Sequence, residues 1–238
     1  RTVQIFHSIF LVNDSGEHPA PFTLVSAEDI RKGTWRFNRA VASSLGVSEE
    51  YGQRFLAHYT ESLSRGGKYD LTIWPYHAML GSIGHALVSA VEEAVFFHTV
   101  CRFSQADFQV KGDNPLTENY SVISPEVLGN GEGKTIAERN RAFVNKLLQY
   151  DAVIIAGQAK SHCVAWTIDD LLHHMSAVNG QLARKVYLLE DCTSAVVVPG
   201  LIDYTDQAEE SFHRFEAAGM HLVRSEDPMG TWPGIRDR

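Results

Sequence analysis

The chain predicts an α/β protein, a three-layer α/β/α structure around a mainly parallel sheet. Two observations carry this. Buried strand-like runs alternate with helical stretches from residue 136 onward. The runs themselves are almost continuously apolar, which marks strands covered on both faces. A chain of 238 residues, 44% of them hydrophobic, is long enough for one sizeable core. No repeat, linker or low-complexity segment interrupts it, so one domain is expected over 1–238.

Taken in order, residues 4–12 form an apolar run that ends in a turn at Asn13-Asp14-Ser15-Gly16. Ser26, with Asp29 three residues on, caps a short helix. Residues 37–45 and 51–63 read as amphipathic helices, the second closed by Gly66 and Gly67. A helix follows over 84–95, then a strand-like run over 95–101 (VFFHTVC). The rest alternates regularly: helix 136–150, strand 151–157 (DAVIIAG), helix 163–177, strand 185–191 (KVYLLED), helix 206–218 closed by Gly219, and strand 221–224. Right-handed crossovers would make the sheet doubly wound, with the chemistry beyond the carboxyl ends of its strands.

The net charge of −8 disfavours nucleic acid as a partner. No apolar run approaches the ~18 residues that span a bilayer, and no secretory signal pattern is visible. Cys101, Cys163 and Cys192 cannot all pair and lack zinc-motif spacing, which fits a reducing cytoplasm.

The sharpest chemical feature is Gly157-Gln158-Ala159-Lys160-Ser161-His162-Cys163-Val164. A buried strand ends at Gly157, and a helix begins near Cys163. A thiol at a helix N-terminus is stabilised as thiolate, and the same N–H groups can hold an oxyanion. The competing reading is a small buried cysteine, and for Cys101 and Cys192, in or after strands, that reading is favoured. His162 adjoins the thiol and could act as its base, although neighbouring side chains at a helix start diverge. Two further features are Trp74-Pro75-Tyr76-His77 and Val110-Lys111-Gly112, a lysine just beyond a strand. Each alone is ordinarily structural or solvated. Gly129 to Thr135 imitates a phosphate loop but has Leu128 where the pattern needs glycine. His173 and His174 are adjacent on a helix and make a poor chelate.

Together these segments, in this order over roughly residues 70–224, resemble the nicotinamidase/isochorismatase-like cysteine hydrolases. The matching residues are 71–77 (LTIWPYH), Val110-Lys111-Gly112 with Tyr120-Ser121, and Gly157-Gln158-Ala159 with Cys163, Val164, Thr167 and Asp170; the strand at 186–191 followed by Cys192 is similar too. Trp-Pro-x-His is similar to the nicotinamidase branch. The resemblance implies the isochorismatase-like hydrolase fold and hydrolysis of a small carboxamide, such as nicotinamide to nicotinate and ammonia, as in NAD salvage. It implies Cys163 as nucleophile, Lys111 as the lysine of the triad, and an oxyanion hole from the N–H groups of Ala159 and Cys163 beside a cis Gln158–Ala159 bond. Trp74 and Tyr120 would line the substrate slot. His77 would ligate a divalent metal ion (zinc, iron or manganese). A homo-oligomer acting on a small-molecule amide is expected. The alternatives are a carbamoyl-type amidase, a vinyl-ether hydrolase, or a non-catalytic binding module.

The chain departs from the family in two places. The Asp-x-Gln pattern that supplies the third catalytic residue is absent, and so is the Asp-x-His pattern that supplies two metal ligands. The nearest segment, Val12-Asn13-Asp14, lacks the glutamine. The chain opens at Arg1 in an apolar stretch, so the expectation is a missing N-terminal strand, an incomplete metal site and impaired catalysis in these 238 residues. His7 falls near a possible further ligand, and 13–69 reads as an insertion.

Overall fold

The cap marked by Ser26 forms as expected. Its hydroxyl accepts the Asp29 N–H, the Asp29 carboxylate accepts the Ser26 N–H, and Gly33 closes the helix at φ 77°. The computed structural model describes residues 8–79, 81–112, 114 and 116–235. The chain divides into two compact units: residues up to Glu118 together with Val127–Ile136, and Asn119–Glu126 together with Ala137 onward.

The first unit runs β1 (Leu11–Val12), β2 (Leu24–Val25), α1 (Ala27–Lys32), β3 (Arg36–Phe37), α2 (Arg39–Ala42), α3 (Glu49–Arg65), β4 (Leu71–Thr72) and α4 (Ser89–Arg102). β1 pairs with β3 and β2 with β4, both antiparallel. The organising element is α3. Ser48 caps it by accepting the Tyr51 N–H, and Gly52, Phe55, Leu56, Tyr59, Thr60 and Leu63 form its buried stripe. That stripe packs on Leu11, Val25, Phe37 and Leu71 from the strands, on Ile73 just after β4, and on Ile30 from α1. The glycine-rich segment after Leu128 is a tight turn, bridged between Gly129 and Thr135, with Asn130 Oδ1 accepting the Glu132 and Lys134 N–H groups.

Residues 95–101 are helical, the second half of α4, where the sequence predicts a strand. The β-branched and aromatic side chains that suggest a strand are tolerated in a helix. A strand satisfies its backbone only through a neighbour, whereas a helix satisfies its own. Cys101 therefore lies on an exposed helix and not in a strand. The described residues from 104 to 112 likewise hold no strand ahead of Lys111.

The second unit runs α5 (Arg141–Leu148), β5 (Val153–Gln158), α6 (Ala165–Val178), β6 (Val186–Ser194), β7 (Val197–Val198), β8 (Ile202–Asp203), α7 (Thr205–Ala217) and β9 (His221–Val223). The expected helix 136–150 starts only at Arg141, because Asn140 caps it by accepting the Phe143 N–H at 3.0 Å. β5, β6 and β9 form a parallel sheet in that order, joined through α6 and α7, so the α/β class and the parallel sheet stand. Alternation along β6 shows why its sequence is apolar throughout. Val186 and Leu188 pack with Ile168 and Leu171 of α6 and with Phe212 and Phe215 of α7. Tyr187 faces the other way, stacks on Trp232 at 5.7 Å and donates its hydroxyl to Pro233 O at 2.7 Å. β6 extends further than its apolar run and includes Cys192.

Candidate active site

β5 ends in a short connection whose carboxyl end is held by the neighbouring strand. Thr193 Oγ1 donates to Gly157 O at 2.5 Å, and Ser194 Oγ donates to Gln158 Oε1 at 2.9 Å. The Gln158–Ala159 peptide is cis. From Ala159 the chain enters a π-helical turn, Lys160–Val164, that continues directly into α6. Ala159 O accepts the N–H groups of both His162 and Val164, at 3.0 and 3.1 Å. The helical stretch thus begins three residues before Cys163 and carries the half-buried thiol in its first turn.

Each of the three residues before Cys163 is buried, at 4%, 1% and 2% exposure for Lys160, Ser161 and His162, and each is tied to a different part of the unit. Lys160 Nζ lies 2.6 Å from Glu209 Oε1 on α7 and 3.9 Å from Glu190 Oε1 on β6. Ser161 Oγ accepts the Val196 N–H at 3.0 Å. The His162 ring lies between Tyr120 and Tyr204, with centroids at 5.4 and 4.6 Å.

Burial limits what His162 can do. Burial pushes its pKa down to about 4, so the imidazole is neutral near pH 7. Ser161 Oγ, which accepts from Val196, also lies within hydrogen-bond distance of His162 Nδ1, at 2.8 Å. A ring with its pKa this low is a poor general base, and the His162 contacts instead hold the turn in place.

The other residues singled out by sequence fall as follows. Tyr120 is buried against His162. Trp74 is buried, edge-on to Phe22 at 5.9 Å and to His77 at 6.2 Å. His77 is exposed and its Nδ1 lies 2.7 Å from Pro75 O, so Nδ1–H donates and Nε2 is the nitrogen left for a ligand. Lys111 is half-buried beside Gly112 at φ 77°. Ala159 and Cys163 thus share one turn and Trp74 and His77 meet, all as sequence neighbours. Trp74, His77 and Lys111 belong to the first unit, and Tyr120, Ala159 and Cys163 to the second.

A metal site is not assembled among the described residues. No group of three His, Cys, Asp or Glu side chains gathers there, and catalytic zinc takes three protein ligands. His77 alone does not fit the ion that the resemblance implies, and His7 lies outside the described residues. Sequence reasoning missed Lys160, Ser161, Glu209 and Tyr204. Nothing in the sequence marks them: a lysine is ordinarily solvated, and Glu209 and Tyr204 come from distant segments.

No family model matches the chain. Among curated proteins, it is 28% identical over 165 residues to the nicotinamidase of Escherichia coli (strain K12), covering 66% of this chain and 60% of that protein. The chain spans less than two thirds of that relative's length. Among solved structures, it is similar to the yeast nicotinamidase bound to the inhibitor nicotinaldehyde (19% identity, TM-score 0.43, 68% of this chain and 64% of that one). It is also similar to the pyrazinamidase of Pyrococcus horikoshii in complex with zinc (17% identity, TM-score 0.38, 74% and 87%). The chain has no helix, among its described residues, long and apolar enough to cross a membrane.

Proposed function

We propose that this chain carries the nucleophile of a cysteine amidohydrolase that converts nicotinamide, or a closely similar small carboxamide, to its carboxylate and ammonia. The observation that carries the reading is Cys163, a half-buried thiol in the first turn of a helix at the carboxyl end of a parallel strand. The identity to a nicotinamidase supports the choice of amide. In this reading the Cys163 thiolate attacks the amide carbon and the C–S bond forms. The carbonyl electron pair moves to oxygen, where the N–H groups of Ala159 and Cys163 stabilise it. Collapse breaks the C–N bond, and the amine leaves as ammonia with a proton from the active site. Water then adds to the thioester, the C–S bond breaks, and nicotinate and the thiol are released.

Lys111 is proposed as the cation that favours the thiolate, and the proton carrier as a carboxylate in the role of the aspartate that the 238 residues do not match. Trp74 and Tyr120, both buried aromatics, are proposed to line the slot for the ring. The Pyrococcus structure contains zinc. In this chain His77 is proposed as one donor, through Nε2. The protein is proposed to be cytoplasmic, where its three free thiols would stay reduced. Self-association is part of the proposal, supported by the apolar side chains that α4 leaves exposed, such as Phe96, Phe97 and Val100.

The test is ammonia and nicotinate release from nicotinamide by the full-length protein and its Cys163→Ala variant. Turnover in the wild type and a loss on the order of 10⁴ or more in the variant is the expected result. Undiminished turnover by Cys163→Ala, or no nicotinate from the wild type, overturns the reading.

A further inference from the structure

The geometry points to Lys160 as a positioning residue that clamps the nucleophile turn to α7 and β6 through Glu209 and Glu190. The inference rests on the reading of Cys163 as nucleophile. Lysine is among the residues most rarely buried, and where it is buried it is paired. Lys160 is 4% exposed and obeys that rule: Nζ is 2.6 Å from Glu209 Oε1, 3.9 Å from Glu190 Oε1, and 4.5 Å above the centre of the Phe212 ring. Phe212 is itself buried in the core beneath α6 and α7. The ammonium thus sits on an apolar floor between two carboxylates. Removing a carboxylate would leave a desolvated charge with poorer compensation.

Position in the chain gives this pairing its consequence. Lys160 is the first residue of the π-turn, flanked by Ala159, whose carbonyl receives two N–H groups of that turn. Ser161 and His162 are anchored by a neutral hydrogen bond and by aromatic contacts. Lys160 adds the charged anchor, and it reaches the two elements that flank the turn, β6 and α7. An oxyanion hole works only when its donors are already aimed, and misplacement of about 1 Å can cost on the order of 100-fold. Holding the N–H groups of Ala159 and Cys163 at that spacing is the role assigned to the clamp.

The test compares Lys160→Met, which keeps the length and removes the charge, with Glu209→Gln and with Lys160→Arg. Hydrogen exchange in the peptide covering residues 158–166 reports the turn directly, and nicotinamide turnover by the full-length protein reports its use. Lys160→Met and Glu209→Gln are expected to exchange about tenfold faster in the turn, with β6 and β9 unchanged. Their kcat should fall about 10- to 100-fold with little change in KM, and Lys160→Arg should restore most of both. If Lys160→Met does not fold, Glu209→Gln decides. Unchanged exchange in the turn, or a fall in stability with unchanged kcat per folded molecule, overturns the clamp. If the wild type releases no ammonia from nicotinamide, the functional reading fails separately, and exchange alone then tests the clamp.

Discussion

Acidification should weaken the second unit through one side chain, His162. Its pKa is held at about 4 by burial, against an ordinary value of 6.5 in the unfolded chain. The unfolded state therefore binds a proton at a higher pH than the folded one. The stabilisation tied to the neutral ring is present above pH 6.5 and is lost as pH falls toward 4. Applying linkage to these two values gives a loss of about 2 kcal/mol between pH 7 and pH 5, approaching about 3 kcal/mol below pH 4. The cost arises where the ring is packed between Tyr120 and Tyr204, with Nδ1 taken by Ser161. The measurement is the opening free energy of the most protected amides of β5 and β6, from hydrogen exchange at pH 7 and pH 5. It is made on the wild type and on His162→Gln, whose side chain does not titrate. The remaining histidines contribute equally to both proteins, so the variant should lose about 2 kcal/mol less on acidification. Equal losses in the two proteins would refute the assignment of a buried, neutral His162.

Three other outcomes follow from the packing. Gly52→Ala in α3 should destabilise the first unit although alanine is the better helix former. Its new Cβ would stand 2.5 Å from Cε1 of the buried Phe37 ring, so overpacking of about 1–3 kcal/mol exceeds the gain of about 1 kcal/mol from propensity; a raised urea midpoint would count against this. Tyr59→Phe removes a hydroxyl that donates to Glu118 Oε2 and accepts the Glu118 N–H, each at 2.9 Å. With both groups buried, the loss in urea unfolding should be about 1–3 kcal/mol, and a neutral result would show that the pair is solvated. Cys101 is exposed on α4: Cys101→Ser should keep full nicotinamide turnover, and inactivation by iodoacetamide should follow modification of Cys163 and not of Cys101, as peptide mass spectrometry can check.

The legible parts of this protein were those decided locally. The cap at Ser26 and Asp29, the apolar stripe of α3, and the runs that became β5, β6 and β9 follow from side-chain chemistry over a few residues, so they can be read directly. The placement of Cys163 between a strand end and a helix start is of the same kind. Residues 95–101 were misread because a short apolar run serves equally well as helix or strand until a pairing partner exists or fails to exist.

What the tertiary structure alone decided is the environment of the turn before Cys163. In the sequence, Lys160, Ser161 and His162 are three polar residues, which ordinarily mark a solvated loop. In the fold they are buried, because α7, β6, the segment at Val196, Tyr120 and Tyr204 converge on them from distant parts of the chain. The neutral state of His162 and the pairing of Lys160 depend on that convergence. Burial and charge pairing are set by which distant segments meet. The sequence by itself determined the α/β elements and the position of the thiol; the three-dimensional packing determined which polar side chains left water to hold it.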